Sequence, residues 1–264
     1  MTSYKAVIFD IGGVCVGSPF NGIAEYEKEH HLPPNFINVS MQVERIARSG
    51  ENGAFQRLER GEISLQEFYK IFGKELSDPK NKEYYLEYTR LREGSTAINE
   101  SHLPATTTID GRELLIKMIS EFTVIDPVVF EALKSLRASK KYKIVALTNN
   151  FQVSPDDSQE IEILGDAHTE LKNLFDEYFE SSIIGLRKPD PKIFTYACSK
   201  LNIEPKDAIF LDDIGMNLKA AKELGMTTIK VELGNSEKAI KELENLLGIS
   251  LLNNTATNVK LSKI

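Results

Sequence analysis

Four short apolar runs constrain the fold of this chain: 5–9 (Lys-Ala-Val-Ile-Phe), 143–147 (Lys-Ile-Val-Ala-Leu), 208–211 (Ala-Ile-Phe-Leu) and 227–231 (Thr-Thr-Ile-Lys-Val). The first three show little polar alternation, as expected of central parallel strands buried on both faces. Helical patterns lie between them. Asp126-Pro127 supplies an N-cap and a first-turn residue, and Val129, Ala132, Leu133 and Leu136 follow as an apolar stripe. Asp190-Pro191 opens a second helix. A third carries Ala239, Ile240, Leu243, Leu246 and Leu247 and closes on Gly248. Strands alternating with helices, joined by right-handed crossovers, predict an α/β fold with a Rossmann-like parallel sheet.

Residues 18–103 read differently. They hold amphipathic helical stretches around Ile23–Glu29, Phe36–Ala47 and Ser64–Phe72, with Ser64-x-x-Glu67 as a capping box, and no convincing buried strand. The expected organisation is therefore a core from 1–17 and 104–264 with an inserted helical cap at 18–103. The polar stretch 152–166, with Pro155 and several acids, reads as an exposed loop.

The chain has 264 residues, enough for such a core plus a smaller domain. Its 39 acidic residues outnumber 32 basic ones, for a formal charge of −7, which argues against a nucleic-acid or anionic-membrane surface. Cys15 and Cys198 are far apart in sequence, so neither a disulfide framework nor a zinc site is expected. No apolar stretch approaches the roughly 18 residues of a spanning helix, and the N-terminus enters a strand without a leader pattern. These features favour a cytoplasmic reading. The C-terminal Ser262-Lys263-Ile264 keeps a peroxisomal address as the alternative.

Three of the apolar runs end on polar side chains: Asp10, Thr148-Asn149 and Asp212-Asp213. In an open parallel sheet those ends share one edge, where ligands bind. Lys188, ahead of Pro-Asp-Pro and a helix, can reach the same edge. Phosphoryl transfer to a carboxylate accounts for the set. Asp10 attacks phosphorus as the nucleophile. Mg²⁺ offsets the meeting of two anions and takes Asp10, Asp213 and the Gly12 carbonyl as ligands. Thr148, Asn149 and Lys188 bind the phosphate oxygens, with Lys188 also balancing charge on the nucleophile. Asp212 and Asn217 support the metal shell. The expected ligand is a small phosphorylated metabolite, and oligomeric state is not set by these features.

These motifs, in this order, resemble those of the haloacid dehalogenase superfamily: the Asp10 strand end, Thr148, Lys188 in Leu-Arg-Lys-Pro-Asp-Pro-Lys-Ile-Phe, and Asp212-Asp213 in Phe-Leu-Asp-Asp-Ile-Gly-Met-Asn-Leu-Lys. Within it, Leu147–Asn149, Gly185–Phe194 and Phe210–Val231 are similar to the N-terminal phosphatase domain of soluble epoxide hydrolase and the related domain fused to some acyl-CoA dehydrogenases. The resemblance implies a Mg²⁺-dependent phosphatase with a cap of the C1 type. One position departs from it. Phosphatases of the superfamily usually carry a second Asp two residues after the nucleophile, to protonate the leaving oxygen and later activate water. Here that residue is Gly12. General acid–base help is worth roughly 10²–10⁴-fold. Three readings follow: a preference for good leaving groups such as anomeric or acyl phosphates, a proton from cap residue Glu59 or Glu62, or ligand binding with little turnover. Phosphonate cleavage needs a Schiff-base lysine, for which Lys70 and Lys74 are the cap candidates. C–X hydrolysis in this superfamily works without metal and has no need of Asp212-Asp213.

Overall fold

The structure is a computed structural model that describes residues 4–47, 52–93, 108–156, 158–164 and 169–252. Five parallel strands form one sheet: β1 (Ala6–Phe9), β2 (Lys143–Thr148), β3 (Glu177–Glu180), β4 (Ala208–Asp212) and β5 (Thr227–Lys230), in the order β3-β2-β1-β4-β5. Phe9 lies in register with Ala146 on one side and Leu211 on the other. That alignment brings Asp10, Thr148 and Asp212-Asp213 out at one edge.

Four of the strands match the apolar runs. The fifth, β3, was not expected. Its sequence Glu-Tyr-Phe-Glu alternates, and of its four side chains Phe179 is buried. An edge strand with acids is how a sheet avoids pairing with a neighbour, and it reads poorly as a strand.

The helices in chain order are α1 (Pro19–Glu29), α2 (Phe36–Ala47), α3 (Ala54–Glu59), α4 (Leu65–Leu76), α5 (Lys80–Glu93), α6 (Gly111–Ser120), α7 (Pro127–Ser139), α8 (Ser158–Leu164), α9 (Thr169–Lys172), α10 (Ser181–Ile184), α11 (Pro191–Leu201), α12 (Gly215–Glu223) and α13 (Ser236–Leu247). Asp126 caps α7, one oxygen accepting from the Val128 and Val129 amides at 2.9 Å. Asp190 caps α11, and Gly248 ends α13 in the left-handed conformation. At α4 the Ser64 hydroxyl accepts from the Glu67 amide at 3.2 Å.

Strand side chains alternate between two apolar layers. Val7, Phe9, Ile144 and Ile209 pack with Leu133 and Leu136 of α7 and Ile240 and Leu243 of α13. Ile8, Val145, Leu147 and Phe210 face Ile193, Phe194 and Ala197 of α11 and Ala221 of α12. The period of two thus gives a three-layer α/β sandwich. A third apolar cluster joins Ile23, Phe36, Leu58, Phe68 and Phe72 to Leu114, Leu115 and Met118 of α6. Helix α6, beyond the expected cap boundary at 103, packs against α1 and α4.

Residues 152–166 are not simply an exposed loop. Ser158–Leu164 form α8, and its Glu160 is 2% exposed. Its carboxylate accepts from Tyr69 Oη at 2.9 Å and from Arg112 Nε at 2.7 Å. An acid can be buried when such donors meet it, and the local sequence does not reveal donors that come from distant helices. Among the described residues no helix is long and apolar enough to cross a membrane. The C-terminal tripeptide, His102 and His168 lie outside the described residues.

Candidate active site

The nucleophile candidate is built from β1 outward. Asp10 follows the last strand residue, its amide still donating to the Leu211 carbonyl at 2.9 Å. Its Oδ1 accepts from the Ile11 amide and from Lys188 Nζ, both at 2.7 Å. Both donors meet the same oxygen. The Cys15 thiol donates to the Asp10 carbonyl at 3.2 Å, and burial pushes that thiol well up in pKa, so Cys15 fills and braces the turn.

Lys188 is 1% exposed and lies between two acids, with Asp212 Oδ2 at 2.9 Å. Burial works against its charge, but Asp10 and Asp212 outweigh burial and hold its pKa above the ordinary lysine value. Asp212 is fully buried and well supplied with donors. The Ile214 amide reaches its Oδ1 at 2.7 Å, and Asn217 Nδ2 lies 3.1 Å from both oxygens. Asn149 fixes the lysine from behind. Its Oδ1 accepts from the Lys188 amide at 2.8 Å and its Nδ2 donates to the Lys188 carbonyl at 3.0 Å. Thr148 is buried at the end of β2, its hydroxyl 3.4 Å from the Asn149 carbonyl.

Asp213 is different in kind. Its Oδ1 is buried with no hydrogen-bond partner. Burial and the Asp212 charge push its carboxyl up to about 6. Burial, together with Asp212 and Asp213, likewise pushes the Asp10 carboxyl well above its ordinary value, against the pull of Lys188. Oxygens of Asp10, Asp212 and Asp213 lie within 4.8 Å of one another. Three carboxylates thus face one ammonium, and two negative charges go unmatched when all are ionised. An orphaned carboxylate oxygen and a deficit of two positive charges fit a divalent cation on hard oxygen ligands.

The glycines shape the approach. Gly13 has φ +77°, and a Cβ there would lie 2.4 Å from Asp213 Oδ2, so no larger residue lets that carboxylate sit against the turn. The neighbouring bridge runs through Val16 N–H to the Ile11 carbonyl and Gly13 N–H to the Val16 carbonyl, using neither polar group of Gly12 itself. A Cβ on Gly12 would meet the ring of Phe122 at 3.1 Å. The helical layer touches the core close by: Glu59, at the end of α3, accepts from Arg187 Nε at 2.6 Å, one residue from Lys188.

A family model for haloacid dehalogenase-like hydrolases matches residues 4–225. The chain belongs to that family. This haloacid dehalogenase-like hydrolase is 34% identical over 250 residues to acyl-CoA dehydrogenase family member 10 of Mus musculus, covering 94% of the chain and 20% of that protein. It is 28% identical to bifunctional epoxide hydrolase 2 of Sus scrofa, covering 96% of the chain and 40% of that protein. The chain therefore spans from a fifth to two fifths of the length of these relatives. It is also 26% identical to D-ribitol-5-phosphate phosphatase of Bacteroides thetaiotaomicron, covering 87% of the chain and 93% of that protein. Among solved structures, a haloacid dehalogenase family enzyme from the same bacterium, in complex with magnesium and inorganic phosphate, superposes with a TM-score of 0.53. The match has 20% identity and covers 88% of this chain and 96% of that one. That likeness carries the fold.

The structure brings Asp10, Lys188, Asp212, Asp213, Asn217 and Asn149 into one connected set, with Thr148 and Gly12 beside it. Asn149 meets the Lys188 main chain through its side-chain amide. The cap candidates divide. Glu62 pairs with Arg60 at 2.6 and 3.0 Å, and hydrogen bonding to Arg60 holds its carboxyl below the usual range. Lys70 and Lys74 are exposed on α4. The reading of the sequence missed Arg187 and Phe122. Arg187 sits inside the Lys188 motif and was within reach of that reading. Nothing local marks Phe122.

Proposed function

We propose that this hydrolase cleaves a small phosphomonoester through an aspartyl-phosphate on Asp10. In this reading a Rossmann-like core (1–17, 104–264) works beneath a helical cap (18–103) that selects the substrate. Asp10, Asp213 and the Gly12 carbonyl hold Mg²⁺. When bound, the cation offsets the excess carboxylate charge and the charge on the phosphate oxygens.

Asp10 Oδ2 attacks phosphorus, the new Oδ2–P bond forms, and the bond from phosphorus to the leaving oxygen breaks. Water then displaces phosphate and regenerates the carboxylate. Lys188 favours the ionised form of Asp10 against burial and the neighbouring acids, and attracts the incoming phosphate dianion. Thr148 and the amides at the β2 end bind phosphate oxygens. Asn149 fixes Lys188, while Asp212, itself fixed by Asn217, holds the ammonium from its second side.

The observation that carries this reading is the fully buried Lys188 held between Asp10 and Asp212 beside the unpartnered Asp213 oxygen. Phosphate release from sugar 1-phosphates, sugar 6-phosphates, nucleotides and lipid phosphates tests it, with and without Mg²⁺. Release that needs Mg²⁺ and vanishes in Asp10→Asn is expected. Turnover that survives Asp10→Asn removes Asp10 as nucleophile. Gly12 favours a second reading, a phosphate-ligand binder with little turnover. Calorimetric binding of Mg²⁺ and phosphate without release would select it.

A further inference from the structure

We propose that Phe122 is a specificity-determining residue. It closes the space in which a leaving-group acid would stand, and so confines the enzyme to phosphates whose leaving oxygen departs without a proton. The inference rests on the phosphatase reading above and extends it to a substrate class.

The φ of Gly12 is not positive, so the backbone itself accepts a side chain. The space does not. An ideal Cβ at position 12 lies 3.1 Å from Phe122 Cε1, 3.3 Å from Cζ and 3.8 Å from Pro19 Cδ. A Cβ at 3.1 Å requires the ring to give by a few tenths of an ångström. The ring is not on a free loop. Phe122 belongs to the single turn Glu121–Thr123 between α6 and α7, and it packs, partly buried, against the core cluster that includes Val16 and Val129.

The main chain on either side is tied to the nucleophile turn. Gly17 N–H donates to the Val124 carbonyl at 2.9 Å, and Asp126 N–H donates to the Cys15 carbonyl at 2.9 Å. Val16 bridges Ile125. A Cβ on Gly17 would lie 2.3 Å from the Glu121 carbonyl oxygen, so the two backbones are in direct contact. The segment that carries Phe122 is thus anchored to the loop that carries Gly12. A side chain at position 12 therefore crowds the ring at position 122.

The consequence falls on the first half-reaction. The bond from Asp10 Oδ2 to phosphorus forms, the bond from phosphorus to the leaving oxygen breaks, and the electron pair stays on that oxygen. With an acid at position 12 the oxygen would leave as an alcohol. With an aromatic ring there it leaves as an anion and takes its proton from solvent afterwards. Acyl and anomeric phosphates tolerate this, and simple alkyl phosphates do not. In the second half-reaction the group leaving phosphorus is the Asp10 carboxylate, which needs no proton, and the attacking water gives its proton to solvent.

A leaving-group series tests the proposal: p-nitrophenyl, phenyl, benzyl and alkyl phosphates with Mg²⁺, read as kcat/KM. The wild type is expected to lose at least about 100-fold from the nitrophenyl to the alkyl ester beyond the effect of size, the scale of missing general-acid help. Acetyl phosphate is expected to be turned over faster than any alkyl ester. Gly12→Asp alone should keep the steep series, because the ring displaces the new carboxylate. Gly12→Asp with Phe122→Ala should flatten it by about 10-fold or more, while Phe122→Ala alone leaves it steep. Alkyl and nitrophenyl esters cleaved at similar rates by the wild type overturn the proposal, and so does a flat series in Gly12→Asp alone. The wild-type series needs no variant to fold. No release from any ester overturns the phosphatase reading itself and this inference with it; release without leaving-group dependence overturns this inference alone.

Discussion

Replacing Asp213 by asparagine should stabilise the metal-free protein while abolishing its metal affinity. The Asp213 carboxyl sits at about 6 in the folded chain against an ordinary value of 3.8, chiefly because it is buried. A folded-state pKa raised for an acid means that the folded chain binds its proton more tightly than the unfolded chain. Above about pH 6 the folded protein must keep a buried charge that the unfolded chain solvates freely. The difference costs about 3 kcal/mol at about pH 7.5. As pH falls through about 6 the folded carboxyl protonates first and the penalty shrinks, to roughly half at about pH 5 and to nearly nothing below the unfolded value. The uncharged amide introduced by Asp213→Asn escapes the penalty at every pH. Urea unfolding in EDTA should therefore show Asp213→Asn more stable than wild type at about pH 7.5, with a smaller gain at about pH 5. At this chain length a few kcal/mol corresponds to a Tm shift of several degrees. Added Mg²⁺ should raise the wild-type Tm and leave the variant where it is. A variant less stable than wild type in EDTA at the higher pH, or a gain that does not change with pH, refutes the reasoning.

The remaining expectations concern one glycine and two polar side chains elsewhere in the structure. Asn149→Ala removes both side-chain bonds to the Lys188 main chain, and should cost about 1–3 kcal/mol in denaturant unfolding and lower kcat in phosphate release. Gly13→Ala places a methyl 2.4 Å from an Asp213 oxygen at a positive φ, so Mg²⁺ affinity measured by titration calorimetry should fall along with stability. Glu160→Ala strips Tyr69 and Arg112 of a shared acceptor, and should lower stability by about 2 kcal/mol in the same unfolding assay with little change in metal affinity.

The central sheet was legible because buried parallel strands leave unbroken apolar runs, and four of five left such a run. The strand ends were legible for the same reason: once the runs are aligned, Asp10, Thr148 and Asp212-Asp213 fall at one edge. β3 was not, because an edge strand with Glu177 and Glu180 carries half the apolar signal of a central one. α8 was hidden by its acids, and the burial of Glu160 depends on Tyr69 and Arg112 from elsewhere in the chain. Phe122 was hidden more deeply. Its importance lies in a distance to Gly12 across a long stretch of sequence, and neither residue announces the other. Gly12 registered as a missing acid, whereas the crowding of a side chain there by Phe122 shows only in three dimensions.

The ion pair between Glu59 and Arg187 has a mechanical consequence. Arg187 and Lys188 share one peptide unit, so the helical layer and the counter-charge of Asp10 hang on the same short length of backbone. A substitution that removes Glu59 or Arg187 therefore acts on the main chain next to the lysine that pairs with Asp10 and Asp212, even though neither residue touches those two acids through the pair itself.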